Sequence, residues 1–240
     1  MKSSHHTQLT QRFREAARQA ENCITQKMGH ASYTGSQREC LFLKNPVKHA
    51  ILNEWIKENK KGLSYDEFVA LLDALAHGQT VEERTSVGYL LQKFPKFRRQ
   101  LNLQKLDEWL GDYEGWSEID SLCQSAFDET DLLPRWAEWE ALLKLFNSSD
   151  SISKRRASLV LLIKTLRKSD DSRAVQLAFQ NILNLAHEKD ILITKAISWL
   201  LREMTKLHAK QVVAFIDQHT EALPSIAVRE TRRKLATGRK

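Results

Sequence analysis

The stretch ILITKAISWLLREMTK, residues 191–206, decides the fold class. Its apolar members Ile193, Ala196, Ile197, Leu200, Leu201 and Met204 recur three and four positions apart. That spacing is one stripe of an amphipathic helix. Working outward, nearly every other segment repeats the helical period, and no stretch alternates convincingly as a strand. Ser64 reads as a helix N-cap with Asp66 and Glu67 well placed in the first turn, and Ser153 as an N-cap for a helix through Ala157, Val160, Leu161 and Ile163.

Breakers punctuate the pattern at Gly62, Gly78, Pro95, Gly111 to Gly115, Pro134, Asn147 to Asp150, Ser169 to Asp171 and Pro224. The intervening segments have the length of one helix each, roughly 12–18 residues, which gives about twelve helices with short connections. A spacing of about 40 residues per helix pair matches α-solenoid repeats of the HEAT kind. The expectation is all-α: an α-solenoid of HEAT-like antiparallel helix pairs, forming a single domain over residues 1–240. Residues up to about 30 form an N-terminal capping helix with Phe13, Ala16, Ala17, Ala20 and Ile24 on one side, and residues 235–240 a basic tail.

With 240 residues the chain can bury a sizeable core. No apolar run approaches the roughly 18 residues of a membrane span. The polar residues 1–11 lack the apolar stretch of a signal peptide. Cys23, Cys40 and Cys123 are odd in number and lack CxxC spacing, which argues against a disulfide framework or a zinc site and fits reduced thiols in a cytoplasm. His5-His6 is too short for a metal site, and His187, His208 and His219 lack ligand spacing, so no metal or cofactor is expected.

The net charge is +7 and the pI about 9.3, which suits a polyanionic partner. Its distribution is uneven. Acidic residues crowd the centre, among them Asp107, Asp112, Glu114, Glu118, Asp120 and Asp128, while basic ones gather at Lys93 to Arg99, Lys154 to Arg156, Lys164 to Lys168 and Arg229 to Lys240. This arrangement suits a concave groove gripping phosphates along basic edges; solvated helix faces would explain any one cluster equally well.

Several positions stand out as candidates. Trp116 and Asp120 are four residues apart, which places an indole and a carboxylate on one helical face. A core Trp beside a cap residue has the same spacing. Arg156 opens a helix and Trp199 lies beside the apolar stripe, so each also has a bland reading. Trp55 and Trp109 read as core, and Trp136 and Trp139 as packing between repeats.

Four local matches shift this balance. Ser32-Tyr33-Thr34-Gly35-Ser36 with Leu41-Phe42-Leu43 and Pro46, then Gly115-Trp116-Ser117-Glu118-Ile119-Asp120, then Lys154-Arg155-Arg156-Ala157-Ser158-Leu159, then Thr194-Lys195-Ala196-Ile197-Ser198-Trp199-Leu200-Leu201-Arg202-Glu203 occur in this order. From about Tyr33 to Lys234 the chain resembles the DNA alkylation repair glycosylases built from HEAT-like repeats, the AlkD type. The resemblance implies hydrolysis of the N-glycosidic bond of cationic N3- or N7-alkylated purines in duplex DNA, with Asp120 at the lesion, Trp116 and Trp199 packed on the sugar-phosphate backbone, and Arg156 on phosphate. It adds Tyr33, Lys154, Arg155, Lys195 and Arg202 as DNA contacts. It also implies a monomer that grips the backbone rather than extruding the base, acting in the cytoplasm and on the nucleoid in a prokaryote. A positively charged base leaves without a general acid, so one carboxylate suffices to stabilise an oxocarbenium-like sugar and orient water. The chain departs from the family pattern where Lys44-Asn45 replaces a Gly, where Lys48-His49 stands for an Arg after Pro46, and where Gly115 replaces a second tryptophan. The alternative is a non-catalytic HEAT-like scaffold that binds branched or damaged DNA, or a protein partner.

Overall fold

Several helix starts in this chain, at Ser64, Thr80, Asp128, Asp171 and Asp190, are set by short polar side chains that satisfy otherwise unpaired first N–H groups. The structure, a computed structural model, describes residues 4–19 and 34–239. In order, the helices are α1 (Ser4–Gln19), α2 (Asn45–Asn59), α3 (Tyr65–Ala76), α4 (Val81–Lys93), α5 (Pro95–Gln100), α6 (Gln104–Gly111), α7 (Gly115–Ala126), α8 (Glu129–Leu132), α9 (Trp136–Asn147), α10 (Ile152–Val160), α11 (Leu162–Lys168), α12 (Ser172–Leu185), α13 (Ile191–His219) and α14 (Ser225–Thr237), with a 3₁₀ turn at Leu133–Arg135. Among the described residues no strand forms, and Glu39 and Thr80 make an isolated parallel bridge. The architecture is the expected all-α arrangement of HEAT-like helix pairs.

The caps show what sequence spacing captured. Ser64 Oγ accepts from the Glu67 N–H at 3.2 Å while the Glu67 carboxylate accepts from the Ser64 N–H at 2.9 Å, a reciprocal box that starts α3. Thr80 and Glu83 start α4 in the same way. The cap expected at Ser153 is corrected: α10 already begins at Ile152, so Ser153 lies buried inside its first turn. The N-cap is the extended Ser151, whose side chain makes no capping bond. The segmentation is also finer than breakers alone implied, since α10 and α11 are separated at Leu161, where no Gly or Pro stands.

Two compact units emerge, one of Met1–Asn102 with Asp112–Ala126, the other of Leu103–Gly111 with Phe127–Lys240. In the first, α1 packs on α2 and α3, and Leu9, Phe13 and Trp55 are all buried. The rest of the segment expected as a capping helix, residues 20–33, lies outside the described residues. The most extensive pairing of this unit is α4 against α7. It depends on Gly88, where an added Cβ would lie 2.1 Å from the Ser121 carbonyl oxygen. No side chain fits there, so the two backbones approach directly.

In the second unit, Ile193, Ala196, Ile197, Leu200, Leu201 and Met204 are all fully buried, as their periodicity predicted. Each large aliphatic side chain removed from water contributes about 1.5–3 kcal/mol. A polar ladder fixes the register of the helices beneath: Asn147 donates to Ser158 Oγ at 3.0 Å, Asn184 to Asn147 at 2.9 Å, and Asn181 to the Ser158 carbonyl at 3.2 Å. α13 kinks at His208, whose ring nitrogen Nε2 lies 3.1 Å from the Leu166 carbonyl and 3.2 Å from that of Ser169. α14 continues to Thr237, and Gly238 at φ +68° ends it, two residues beyond the expected start of the tail.

Candidate active site

α7 begins where two glycines meet. Gly115 has φ +62° and Gly35 φ +74°, conformations that side chains resist. A Cβ on Gly115 would also lie 2.0 Å from the Thr34 carbonyl oxygen. A tryptophan at this position cannot be accommodated, so the backbone here requires the glycine. The loop so admitted is locked by Glu118, a fully buried carboxylate that accepts from Ser36 Oγ at 2.6 Å and from the Glu114 N–H at 3.0 Å. Arg38 adds ion pairs to Asp112 at 3.1 Å and Glu114 at 3.4 Å. The first two motifs of the sequence are thereby joined into one structure.

On the outer face of α7, Trp116 and Asp120 line an open cleft of about 470 Å³, together with Ser117 and Ser121. Both are partly exposed, so the indole is no core residue. The facing walls come from the first turns of α2 (Lys44, Asn45, Lys48), from α4 (Glu82, Thr85) and from the loop carrying Cys40, Phe42 and Leu43. Glu82 organises that loop. Its buried carboxylate accepts from the Leu41 N–H at 3.0 Å and the Leu43 N–H at 3.2 Å. Phe42 between them is held at φ +57°, a conformation that costs a non-glycine residue about 1–3 kcal/mol.

Two groups in the cleft have shifted proton affinities. Burial pushes the Lys48 amine down to about 8, opposed by the charge of Glu82. Burial and Glu82 push the Cys40 thiol up to about 12, which makes it inert as a nucleophile. His49 stacks on Tyr89 at 4.2 Å, and burial with the charges of Lys48 and Lys93 lowers its proton affinity.

The remaining expected site residues belong to the second unit or fall outside the description. Arg156 is 5% exposed and donates from Nη1 to the Leu192 carbonyl in the first turn of α13. Lys154 pairs with Asp107 at 2.7 Å and Arg155 with Glu188 at 2.7 Å. Arg202 bonds the Ser198 carbonyl at 3.1 Å and lies 3.4 Å from Glu230, while Lys195 is exposed and Trp199 partly exposed. Tyr33 lies outside the described residues. The structure therefore brings Trp116 and Asp120 together and places Arg156 and Trp199 in the other compact unit.

Much of the acidic centre proves to be internal structure. Asp107 pairs with Lys154, Asp112 binds the buried Arg84 at 2.6 Å, and Asp128 binds Lys168 at 3.2 Å. Burial alone would raise the Asp112 carboxyl, but the Arg84 and Arg38 guanidinium groups hold it below the usual range. Sequence reasoning did not find Glu82, Thr85, Glu118 or Ser36, because each acts through a partner dozens of residues away. For Lys48 the sequence shows only a departure beside Pro46, not its burial.

The bland readings of the other aromatics hold. Trp55 and Trp109 are fully buried, Trp139 meets Phe127 edge-on at 5.1 Å, and Arg173 covers Trp136 at 5.4 Å. Among the described residues, no group of three or more His, Cys, Asp or Glu is placed to hold a metal ion, and no helix is long and apolar enough to cross a membrane.

No curated protein matches the chain significantly. Among solved structures, one described as a predicted DNA alkylation repair enzyme from Enterococcus faecalis superposes with a TM-score of 0.71 at 18% identity, covering 86% of this chain and 93% of that one. That likeness shows the fold. The sequence family described as DNA alkylation repair enzyme matches residues 9–235, nearly the whole length. A match of that extent, over a fold of the same kind, settles descent: the chain belongs to the DNA alkylation repair enzyme family.

Proposed function

We propose that this protein is a DNA glycosylase that hydrolyses the N-glycosidic bond of cationic N3- and N7-alkylated purines in duplex DNA. The observation that carries the reading is the pairing of Trp116 and Asp120, one helical turn apart on the wall of an open, lysine-bearing cleft. A carboxylate there stabilises the oxocarbenium-like sugar and orients the attacking water. An indole beside it adds about 0.5–2 kcal/mol of cation–π attraction where it meets developing positive charge. Because the alkylated base is already cationic, no second carboxylate is required, unlike the pairs used on sugars.

In this reading Trp199 is the second indole wall and Arg156 the phosphate contact, its planar guanidinium suited to two oxygens at once. Tyr33, Lys154, Arg155, Lys195 and Arg202 support the backbone. The whole chain acts as one domain and as a monomer, in the cytoplasm, without metal or cofactor.

The test is incubation of the full chain with methylated duplex DNA and chromatography of released bases. Release of 3-methyladenine or 7-methylguanine is expected, and its absence from folded protein overturns the reading. Asp120→Asn is expected to reduce release by about 10²–10³-fold. Full activity in that variant would refute the role of Asp120. Salt-sensitive binding of branched DNA without base release would favour the non-catalytic scaffold instead.

A further inference from the structure

Base release leaves one buried group in the cleft without a task. Lys48 is 6% exposed, and its Nζ donates to Thr85 Oγ1 at 2.6 Å. That partner is neutral, and its hydroxyl is itself committed to the Val81 carbonyl at 2.8 Å. Glu82, the carboxylate whose charge Lys48 feels, is occupied by the amides of Leu41 and Leu43. An ammonium carries three N–H donors, and Thr85 accounts for one. A buried cation without a bonded carboxylate is destabilising, and perturbed ionisable groups of this kind cluster at functional sites.

We propose that Lys48 is the nucleophile of a second activity, cleavage of the DNA strand at the abasic site by imine formation and β-elimination. The inference rests on the reading above that the cleft faces the sugar whose base has been lost. In its open form that sugar presents an aldehyde at C1′. The neutral Nζ adds to C1′, and water leaves as the C–N double bond forms. The resulting iminium acidifies C2′. Transfer of a C2′ proton to the Asp120 carboxylate, which lines the same cleft, places the electron pair in a C2′–C3′ double bond and expels the 3′ phosphate. Water then hydrolyses the imine and restores the amine. Nothing is oxidised or reduced. Desolvation of the kind seen at Lys48 is how lysines become nucleophiles near neutral pH, since it leaves an appreciable neutral fraction below the ordinary range of an amine.

The experiment uses the full chain and duplex DNA with one preformed abasic site, made by enzymatic removal of uracil, so that base release is not needed. Sodium borohydride reduces the imine to a stable secondary amine. A covalent adduct is expected, with peptide mass spectrometry placing it on Lys48, with strand scission when borohydride is omitted, and with a rate that climbs through about pH 8. Lys48→Met and Lys48→Arg should each lose trapping at least about tenfold, the arginine variant keeping the charge but unable to form the imine. No adduct, an adduct confined to the N-terminal amine or other lysines, or undiminished trapping in Lys48→Arg overturns the proposal. Base release from methylated DNA is measured in parallel. Release without a Lys48 adduct overturns this inference and leaves the glycosylase reading standing. A Lys48 adduct without release supports this inference and overturns the glycosylase reading.

Discussion

Replacing Gly88 with alanine tests how far the chemistry proposed at Asp120 depends on a backbone contact remote from any motif. The new methyl would stand 2.1 Å from the Ser121 carbonyl oxygen and 2.9 Å from Leu122 Cα, both on the backbone of α7. Restoring van der Waals separation requires α7 to retreat from α4 by about 1 Å. Two effects oppose each other in stability. Overpacking costs about 1–3 kcal/mol, and alanine within a helix returns about 1 kcal/mol relative to glycine. The net loss should be no more than about 2 kcal/mol, leaving the protein folded. Activity responds more steeply. The carbonyl that is struck follows Asp120 directly, and a misplacement of about 1 Å at a reacting group reduces rates by about 10²-fold. Denaturant unfolding should thus show a modest drop, while base release from methylated duplex DNA falls about a hundredfold. Gly88→Ala with unchanged or higher stability and a rate within a few-fold of the parent would refute the claim that the α4–α7 approach positions Asp120.

Lys48→Met should stabilise the protein, because holding the charged amine in the cleft wall costs about 3 kcal/mol. The sign follows from linkage: the folded amine titrates near 8 and the unfolded one near 10.5, so the penalty is complete below pH 8 and fades as pH rises toward 10.5. The stability gain of the variant, read by chemical denaturation, should shrink over that window. His6→Ala removes the bond of 2.8 Å to Glu83 and leaves a buried acceptor short of a donor, at a cost of about 1–3 kcal/mol. Burial raises the Glu83 carboxyl, but bonds from His6 and Thr80 hold it below its usual range, so its contribution is present above about pH 4.5 and lost as pH falls; acid unfolding of the variant should begin at higher pH. Gly115→Ala places a methyl 2.0 Å from the Thr34 carbonyl at φ +62°, and should undock residues 34–38, seen as faster limited proteolysis there and loss of base release.

Local spacing carried the sequence a long way. The helices, the Ser64 cap, the buried stripe of α13 and the shared face of Trp116 and Asp120 depend on neighbours three or four residues away, which a linear reading sees directly. The order of four short motifs was enough to point to the family. It also nominated Arg156 as a phosphate contact, although nothing in Lys-Arg-Arg shows that its guanidinium would reach the Leu192 carbonyl, 36 residues on.

The remaining features depend on distance along the chain. Ser36 meets Glu118 across 82 residues, Lys48 meets Thr85 across 37, and His6 meets Glu83 across 77. Periodicity assigns such residues to an exposed or buried face and is silent on their partners. The sequence by itself determined an all-α fold class and that Trp116 and Asp120 share one side of α7. Only the tertiary structure decided that Gly88 and Gly115 must be bare for that helix to sit where it does, that most acidic residues of the centre serve internal pairing, and that a buried lysine with a neutral partner lines the same cleft as Asp120. Hydrogen bonding and desolvation act through space, and folding alone brings those atoms within range.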